Sequence, residues 1–106
     1  MRESRFKTNL ILDLEELFPG CIILRGNCND VQGVPDLLIL YRTHWACLEC
    51  KRSLKEPYRP NQEYYLDRLN VLSFASMICP ENKEAVLDEL QRSFEVRGFA
   101  RFSKRK

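Results

Sequence analysis

Apolar residues recur at helical spacing in three segments of the chain, and this pattern predicts three helices. We expect the first helix over residues 3–18, with Pro19 and Gly20 ending it. Pro60 opens the second helix, which runs to about residue 72, and the third helix covers about residues 82–93. The predicted inward positions of the first and third helices are Phe6, Leu10, Leu14, Leu17, Phe18, Val86, Leu87, Leu90 and Phe94.

Four short apolar runs predict strands at residues 21–24, 36–41, 45–51 and 74–78. The run 36–41 is apolar on both faces, which is typical of a central strand covered on both sides. A tight turn at residues 42–44 makes the second and third runs an antiparallel hairpin. The order αβββαβα predicts an α/β domain in which helices flank a mixed sheet.

The length of 106 residues suits one domain, and 44% hydrophobic and 30% charged residues are an ordinary globular balance. No apolar stretch approaches the roughly 20 residues of a membrane span, and the polar first ten residues do not resemble a signal peptide. We therefore expect a soluble, cytoplasmic protein. Its folded domain is predicted at residues 1–93, followed at 94–106 by a basic tail that is either an edge strand or mobile.

The net charge of +2 is unevenly distributed, because all 15 acidic residues precede residue 96 while five of the 17 basic residues follow it. A nearly neutral body with a basic end favours contact with a polyanion such as nucleic acid. The alternative is a terminus that only improves solubility.

Five cysteines and a single histidine bound the metal and redox chemistry of the chain. Cys47 and Cys50 form a lone CxxC inside a predicted strand, where residues three apart point to opposite faces and cannot share an ion. We expect buried, reduced thiols. A small metal or redox protein that uses this pair is the alternative. The cysteines are Cys21, Cys28, Cys47, Cys50 and Cys79.

Asp36, Glu49 and Lys51 stand inside the two most strand-like segments, where charge is costly to bury. If the hairpin turns at Thr43 and His44, Asp36 lies opposite Lys51 and Glu49 lies diagonally across. All three side chains then share one face of the sheet. The alternative is a structural ion pair between Asp36 and Lys51, with Glu49 solvated.

Two carboxylates that converge on a sheet face repel unless a cation lies between them. Mg²⁺ binds oxygen ligands, commonly one or two carboxylates with water and substrate phosphate. Lys51 points to the same place and can stabilise negative charge on a phosphate. Metal, water and lysine together favour phosphodiester hydrolysis.

Two further polar residues fall on predicted buried stripes. Glu3 precedes Leu10 by seven residues, about 20° away on a helical wheel, so it extends the inward stripe of the first helix. Gln62 shares the inward stripe of the second helix, where a buried amide needs polar partners. The alternatives are a helix N-terminal acid favoured by the dipole and a half-exposed amide.

Pro35-Asp36, followed after a hairpin by Glu49-Cys50-Lys51, resembles the motif of the PD-(D/E)XK nuclease superfamily. With Gly33-Val34-Pro35-Asp36, the helix of Gln62 and the early helix with Glu3, the chain is similar to the VRR-NUC branch. Its stand-alone members are small, often virus-encoded nucleases related to Holliday-junction resolvases. The resemblance covers residues 3–78 and implies a restriction-endonuclease-like αβββαβ core.

The resemblance also implies roles for these residues. Asp36, Glu49 and the backbone carbonyl of Cys50 would be metal ligands, with Mg²⁺ as the ion and Mn²⁺ as its substitute. Lys51 would be the catalytic lysine, Gln62 would orient the site, and Glu3 would be a helix-borne acid and a further metal ligand. The chain departs from the pattern in a longer loop before the motif, in the cysteine of Glu49-Cys50-Lys51, and in residues 94–106.

Basic residues mixed with aromatic ones predict a surface that follows DNA phosphates without reading sequence. One group follows the third strand and another lies in the tail, and the alternative for the first group is a solvated linker. The predicted DNA-binding residues are Arg52, Lys55, Tyr58, Arg59, Arg101, Lys104 and Arg105.

The sequence thus predicts a Mg²⁺-dependent DNA endonuclease that acts on branched or otherwise structured DNA, or as a nickase. Cutting two strands needs two sites, so we expect a homodimer, and we expect neither a membrane partner nor a nucleotide cofactor. The alternative function is a non-catalytic nucleic-acid-binding module that retains the nuclease fold.

Overall fold

A computed structural model describes the backbone of residues 3–26 and 31–105, and the side chains of residues 4–26 and 31–95. The chain order αβββαβα agrees with the prediction. The elements are α1 (Glu3–Leu17), β1 (Ile22–Arg25), β2 (Leu37–Tyr41), β3 (His44–Cys50), α2 (Gln62–Leu72), β4 (Phe74–Ile78) and α3 (Lys83–Arg105).

The four strands form one mixed sheet in the order β1-β2-β3-β4. The first three strands are antiparallel neighbours, and β4 lies parallel to β3. A parallel pair needs a crossover connection, which here is the loop after β3 together with α2. The protein is therefore a small α/β protein, as the sequence predicts.

The two faces of the sheet are covered unequally. Helices α1 and α3 pack on one face, where their side chains join alternate residues of β2 and β3, such as Ile39 and Leu48, in the main hydrophobic core. Helix α2 covers the other face, where Leu66 meets Cys47 and Ala75 in a smaller cluster. Because side chains alternate along a strand, the residues of β3 are divided between these two environments.

The inward stripe of α1 is confirmed at Phe6, Leu10, Leu14 and Phe18, which are all buried. The prediction is wrong at Leu17, whose side chain is 36% exposed. On the helical wheel Leu17 falls between Phe6 and Leu10, inside the buried stripe, so its angle does not distinguish it; it differs from them in being the last residue of α1.

Helix α3 buries the four predicted residues, Val86, Leu87, Leu90 and Phe94. Its predicted end at residue 93 is wrong, because the helix continues to Arg105, and the alternative of an edge strand is wrong with it. A single interior glycine, Gly98, costs a helix only about 1 kcal/mol and does not stop it. No helix within the described residues is both long and apolar enough to cross a membrane.

The hairpin between β2 and β3 turns one residue earlier than the sequence suggests, because Tyr41 pairs with His44 and the turn consists of Arg42 and Thr43. Arg42 has a φ of 56°, in the left-handed region that non-glycine residues rarely adopt. Its guanidinium carbon lies 5.1 Å from the centre of the Tyr41 ring, a cation–π contact that supports this conformation. The predicted turn at Thr43 and His44 is wrong by one residue.

Candidate active site

The corrected hairpin brings the two predicted metal-binding carboxylates to the same end of the β2–β3 pair, where both line one cavity. Leu37 pairs with Leu48, so one further step of the same register sets Asp36 against Glu49 rather than against Lys51. The observed and predicted registers therefore differ by two residues along β3. A shift of two residues leaves each side chain on its predicted face of the sheet, because side chains alternate between the faces.

Asp36 is held from two sides. Its Oδ2 accepts a hydrogen bond from the backbone N–H of Cys50 at 3.0 Å. Its Oδ1 lies 3.6 Å from Nζ of Lys7, which is one turn along α1 from Glu3. The contact with Cys50 fixes the carboxylate beside the end of β3, and Lys7 provides a positive charge next to it.

Glu49 is 4% exposed, and its partner is the predicted amide of Gln62, which is 6% exposed. Nε2 of Gln62 donates to Oε2 of Glu49 at 2.9 Å. Oε1 of Gln62 accepts from Nζ of Lys51 at 2.6 Å and from the backbone N–H of Arg59 at 2.7 Å. The prediction of a buried amide with polar partners is confirmed, and the half-exposed alternative is wrong.

Lys51 is almost wholly buried, with 1% of its surface exposed. Besides Gln62, its ammonium donates to the backbone carbonyl of Pro57 at 3.2 Å. Two carboxylates lie near it, with Oε2 of Glu56 at 3.8 Å and Oε2 of Glu49 at 4.0 Å. The ring centre of Tyr58 is 5.6 Å from Nζ. A buried ammonium requires such partners, because desolvation without them costs several kcal/mol.

The structural alternative for the trio, an ion pair between Asp36 and Lys51, does not describe this arrangement. Asp36 pairs with Lys7, whereas the ammonium of Lys51 lies between Glu49 and Glu56. Glu49 is also buried rather than solvated.

These side chains line one cavity of about 210 Å³. Asp36, Glu49, Lys51 and Gln62 lie on its wall together with Glu56 and Arg59. Residues 31–34 form another part of the wall. The predicted site residues Asp36, Glu49, Lys51 and Gln62 therefore meet in one place.

The wall at residues 31–34 packs tightly on the beginning of α2. Gly33 has a φ of 98°, and a Cβ added to it would lie 2.6 Å from the carbonyl carbon of Asn61. No side chain fits this space. Because Asn61 is the N-cap of α2 and directly precedes Gln62, this contact also fixes where the Gln62 amide enters the cavity.

The chemistry of the cavity fits a hard divalent cation. Asp36, directly before β2, and Glu49 on β3 present carboxylate oxygens to the cavity, and carboxylates are ligands suited to Mg²⁺. Cys50, whose carbonyl the resemblance adds to this set, does not line the cavity. No group of three or more His, Cys, Asp or Glu side chains within residues 4–26 and 31–95 is arranged to hold a metal ion. Two of the predicted side-chain ligands, Asp36 and Glu49, lie within those residues, whereas the side chain of Glu3 lies outside them.

Two ionisable side chains in the loop after β3 have pKa values shifted from their ordinary values. The pKa of Glu56 is lowered, first by the hydrogen bond from the Arg52 backbone N–H and further by the charges of Lys51 and Arg52. The pKa of Tyr58 is raised, mainly by burial and then by the negative charges of Glu63, Asp67 and Glu49.

The predicted DNA-binding residues divide into two sets. Arg52, Lys55, Tyr58 and Arg59 are exposed on the loop after β3, and Arg59 also lines the cavity. The structure does not describe the side chains of the second set, Arg101, Lys104 and Arg105, which belong to the last turns of α3. It also does not describe the side chain of Glu3, the first residue of α1.

Cys47 and Cys50 lie in different hydrophobic clusters on opposite faces of the sheet, as predicted. Burial raises the pKa of the Cys47 thiol to about 11, which disfavours the thiolate that a metal site or redox site needs. Cys28 lies outside the described residues.

Two charged residues at the site, Lys7 and Glu56, are absent from the predicted set. Lys7 is half-buried and lies between Leu14 and Phe18 on the helical wheel, so a charge that interrupts the inward stripe of α1 is the signal that could have identified it. Glu56 lies in an irregular loop, where no periodicity relates sequence position to direction.

Comparison of the chain with protein-family models, with curated proteins and with solved structures gave no match.

Proposed function

We propose that this protein is a Mg²⁺-dependent DNA endonuclease of the PD-(D/E)XK type, similar to the VRR-NUC branch, with a restriction-endonuclease-like core. The observation that carries the proposal is the convergence of two opposed carboxylates, a buried lysine and a buried glutamine on one cavity. The mixed four-stranded sheet and the order αβββαβ are compatible with such a core.

Asp36, Glu49 and the carbonyl of Cys50 would hold the cation. When bound, the ion would polarise a phosphoryl oxygen and lower the pKa of a bound water. Lys51 faces the same cavity and stabilises negative charge that develops on the phosphate. Gln62 bridges Glu49 and Lys51 through its two amide atoms, so it fixes the carboxylate and the ammonium relative to each other.

The loop of residues 52–59 provides the contacts to DNA in this proposal. Arg52, Lys55 and Arg59 are exposed and positively charged, and Arg59 reaches the cavity, so a phosphate backbone bound along the loop leads into the site. The substrate is branched or otherwise structured DNA, and cutting two strands requires two copies of the chain as a homodimer.

A non-catalytic nucleic-acid-binding module is the second candidate. One observation favours it: Lys51 and Gln62 satisfy each other and nearby groups within the protein, as a purely structural network would. A binding module, however, gains nothing from burying a lysine and a glutamate at a cost in desolvation. Cleavage therefore separates the two functions.

The test is incubation of the purified protein with Mg²⁺ or Mn²⁺ and a panel of substrates. The panel contains supercoiled plasmid, linear duplex, single-stranded, nicked, flapped and four-way-junction DNA, with cleavage sites mapped on each. We expect cleavage that disappears with EDTA and in Lys51→Met. Lys83→Met is the matched control, because Lys83 pairs with Asp13 away from the cavity, and it should cleave like wild type.

Two results would contradict the proposal. One is binding to these DNAs without cleavage of any of them by either metal, which would favour the binding module. The other is equal cleavage by wild type and Lys51→Met, which would point to a contaminating nuclease. Binding of Mn²⁺ by wild type, but not by Asp36→Asn, in isothermal titration would support the assigned ligands independently of cleavage.

A further inference from the structure

Glu56 makes a set of contacts that no part of the proposed mechanism requires. Its Oε1 accepts the backbone N–H of Arg52 at 2.7 Å and the Arg52 Nε at 3.2 Å. Its Oε2 points the other way, to 3.8 Å from Nζ of Lys51. The side chain is 12% exposed and lines the site cavity. One carboxylate therefore connects the loop after β3 to the buried ammonium.

The ammonium of Lys51 has two carboxylates at nearly equal distances, Glu56 at 3.8 Å and Glu49 at 4.0 Å. Only Glu49 belongs to the predicted metal ligands. A divalent cation bound to Glu49 repels the ammonium and takes up the charge of that carboxylate. Lys51 then needs another counter-ion to remain buried beside the cavity, and Glu56 is the other carboxylate paired with it among the described side chains.

We propose that Glu56 is a positioning residue that holds the ammonium of Lys51 at the cavity while a cation occupies Asp36 and Glu49. This inference rests on the proposed nuclease function for its effect on turnover, whereas the pairing of Glu56 with Lys51 can be measured without it. The loop of residues 52–59 thereby takes part in orienting the lysine as well as in binding DNA.

The local structure keeps Glu56 charged and in place. The Arg52 N–H bond and the nearby cations lower the pKa of its carboxyl, so it is an anion at neutral pH. The neighbouring Pro57 carbonyl also bonds to Lys51, so two successive residues of the loop contact the same ammonium.

The kinetic test compares Glu56→Gln with wild type under saturating Mg²⁺. We expect kcat to fall about 10-fold or more, the range typical of groups that orient a reacting residue, with KM for DNA changed less than about twofold. Glu56→Asp keeps the charge and should regain part of the lost kcat. Glu81→Gln is the matched control, because Glu81 bonds to Leu54 in the same loop without touching Lys51, and it should retain wild-type kcat.

The structural test is a double-mutant cycle on urea unfolding with Glu56→Gln and Lys51→Met. If the two charges interact, the loss of stability in the double variant should be smaller than the two single losses added together. This cycle does not depend on catalysis, so it tests the pairing even if the wild-type protein cleaves no DNA. Absence of cleavage would contradict the proposed nuclease function but not the pairing of Glu56 with Lys51.

Three results would overturn the inference. Additive losses in the cycle would show that Glu56 and Lys51 do not interact. Wild-type kcat in Glu56→Gln would show that the pairing is irrelevant to turnover. Equal losses of kcat in Glu56→Asp and Glu56→Gln would show that the shape of the loop, and not the charge, is what matters.

Discussion

The two faces of the sheet bury very different side chains. On the face under α1 and α3, fourteen buried residues among those described form a continuous apolar core, whereas three buried residues form the cluster under α2. The α2 face instead buries Glu49, Lys51 and Gln62. The difference shows how a protein of this size accommodates ionised groups: one face supplies most of the hydrophobic stabilisation, and the other holds charges that oppose it.

Strand β3 shows the contrast one residue at a time. Ala46, Leu48 and Cys50 enter the main core, while Cys47 and Glu49 point to the α2 face. A change on the first face should therefore act through stability, and a change on the second should act through chemistry. The following experiments test this division, from the largest expected effect to the smallest.

Leu48→Ala should lower the free energy of unfolding by about 2–5 kcal/mol, because it leaves a cavity in the main core. Cys47→Ala, at the adjacent position on the opposite face, should cost about 1 kcal/mol or less. Urea unfolding followed by circular dichroism measures both. Equal losses at the two positions would contradict the unequal division of the core.

Asp36→Asn should reduce cleavage about 100-fold or more while changing the free energy of unfolding by less than about 1 kcal/mol. The amide oxygen of asparagine can still accept the Cys50 N–H, but it brings no charge to a cation. Cleavage rates and urea midpoints are measured on the same preparation. Asp88→Asn, an exposed acid on α3, serves as the control and should change neither.

Acid should weaken the protein partly through Glu56. Its pKa is lowered from the ordinary 4.5, so the folded state favours the carboxylate, and the stability that this provides is present above pH 4.5. It is lost as the pH falls through the lower folded value. The difference in unfolding free energy between wild type and Glu56→Gln should therefore shrink below about pH 4.5, as urea titrations at several pH values would show. A constant difference across this range would contradict the lowered pKa.

The thiol of Cys47 should react slowly with alkylating agents in the folded protein. Its pKa of about 11, against an ordinary 9.0, leaves about 100-fold less thiolate at pH 8. Mass-spectrometric peptide mapping after brief iodoacetamide treatment should show little label on Cys47 in the folded protein and full label in urea. Fast labelling of the native protein would mean that α2 does not seal this face.

The helices and strands could be predicted because their signals are local. The apolar periodicity of α1 and the composition of the run at residues 74–78 identify these elements without reference to neighbours. The end of α3 could not be predicted in this way, because a glycine and a change in hydrophobic pattern resemble a stop signal that the helix passes through. Leu17 was misplaced because helical periodicity assigns it to the inward stripe and does not show that the end of α1 leaves its side chain 36% exposed.

The site was predicted where a charged or amide residue interrupts an apolar pattern, as at Asp36, Glu49, Lys51 and Gln62. The contacts of Glu56 could not be inferred, because a loop has no fixed period and its path depends on tertiary contacts. The partner of Asp36 was predicted wrongly because the choice between two neighbouring turn positions depends on the backbone of Arg42, and arginine gives no sign of a left-handed conformation.

The left-handed backbone at Arg42 therefore has an influence that reaches far from the surface where it lies. A hairpin turning one residue later would satisfy the apolar pattern equally well, since every side chain would keep its face, but it would slide Glu49 about 7 Å along β2. The apolar pattern thus determines which face of the sheet each side chain occupies. The turn at Arg42, an exposed residue about 20 Å from Asp36, determines which residues of β2 and β3 pair. The alignment of the two acids is in this sense controlled remotely, by a position that substrate need never touch.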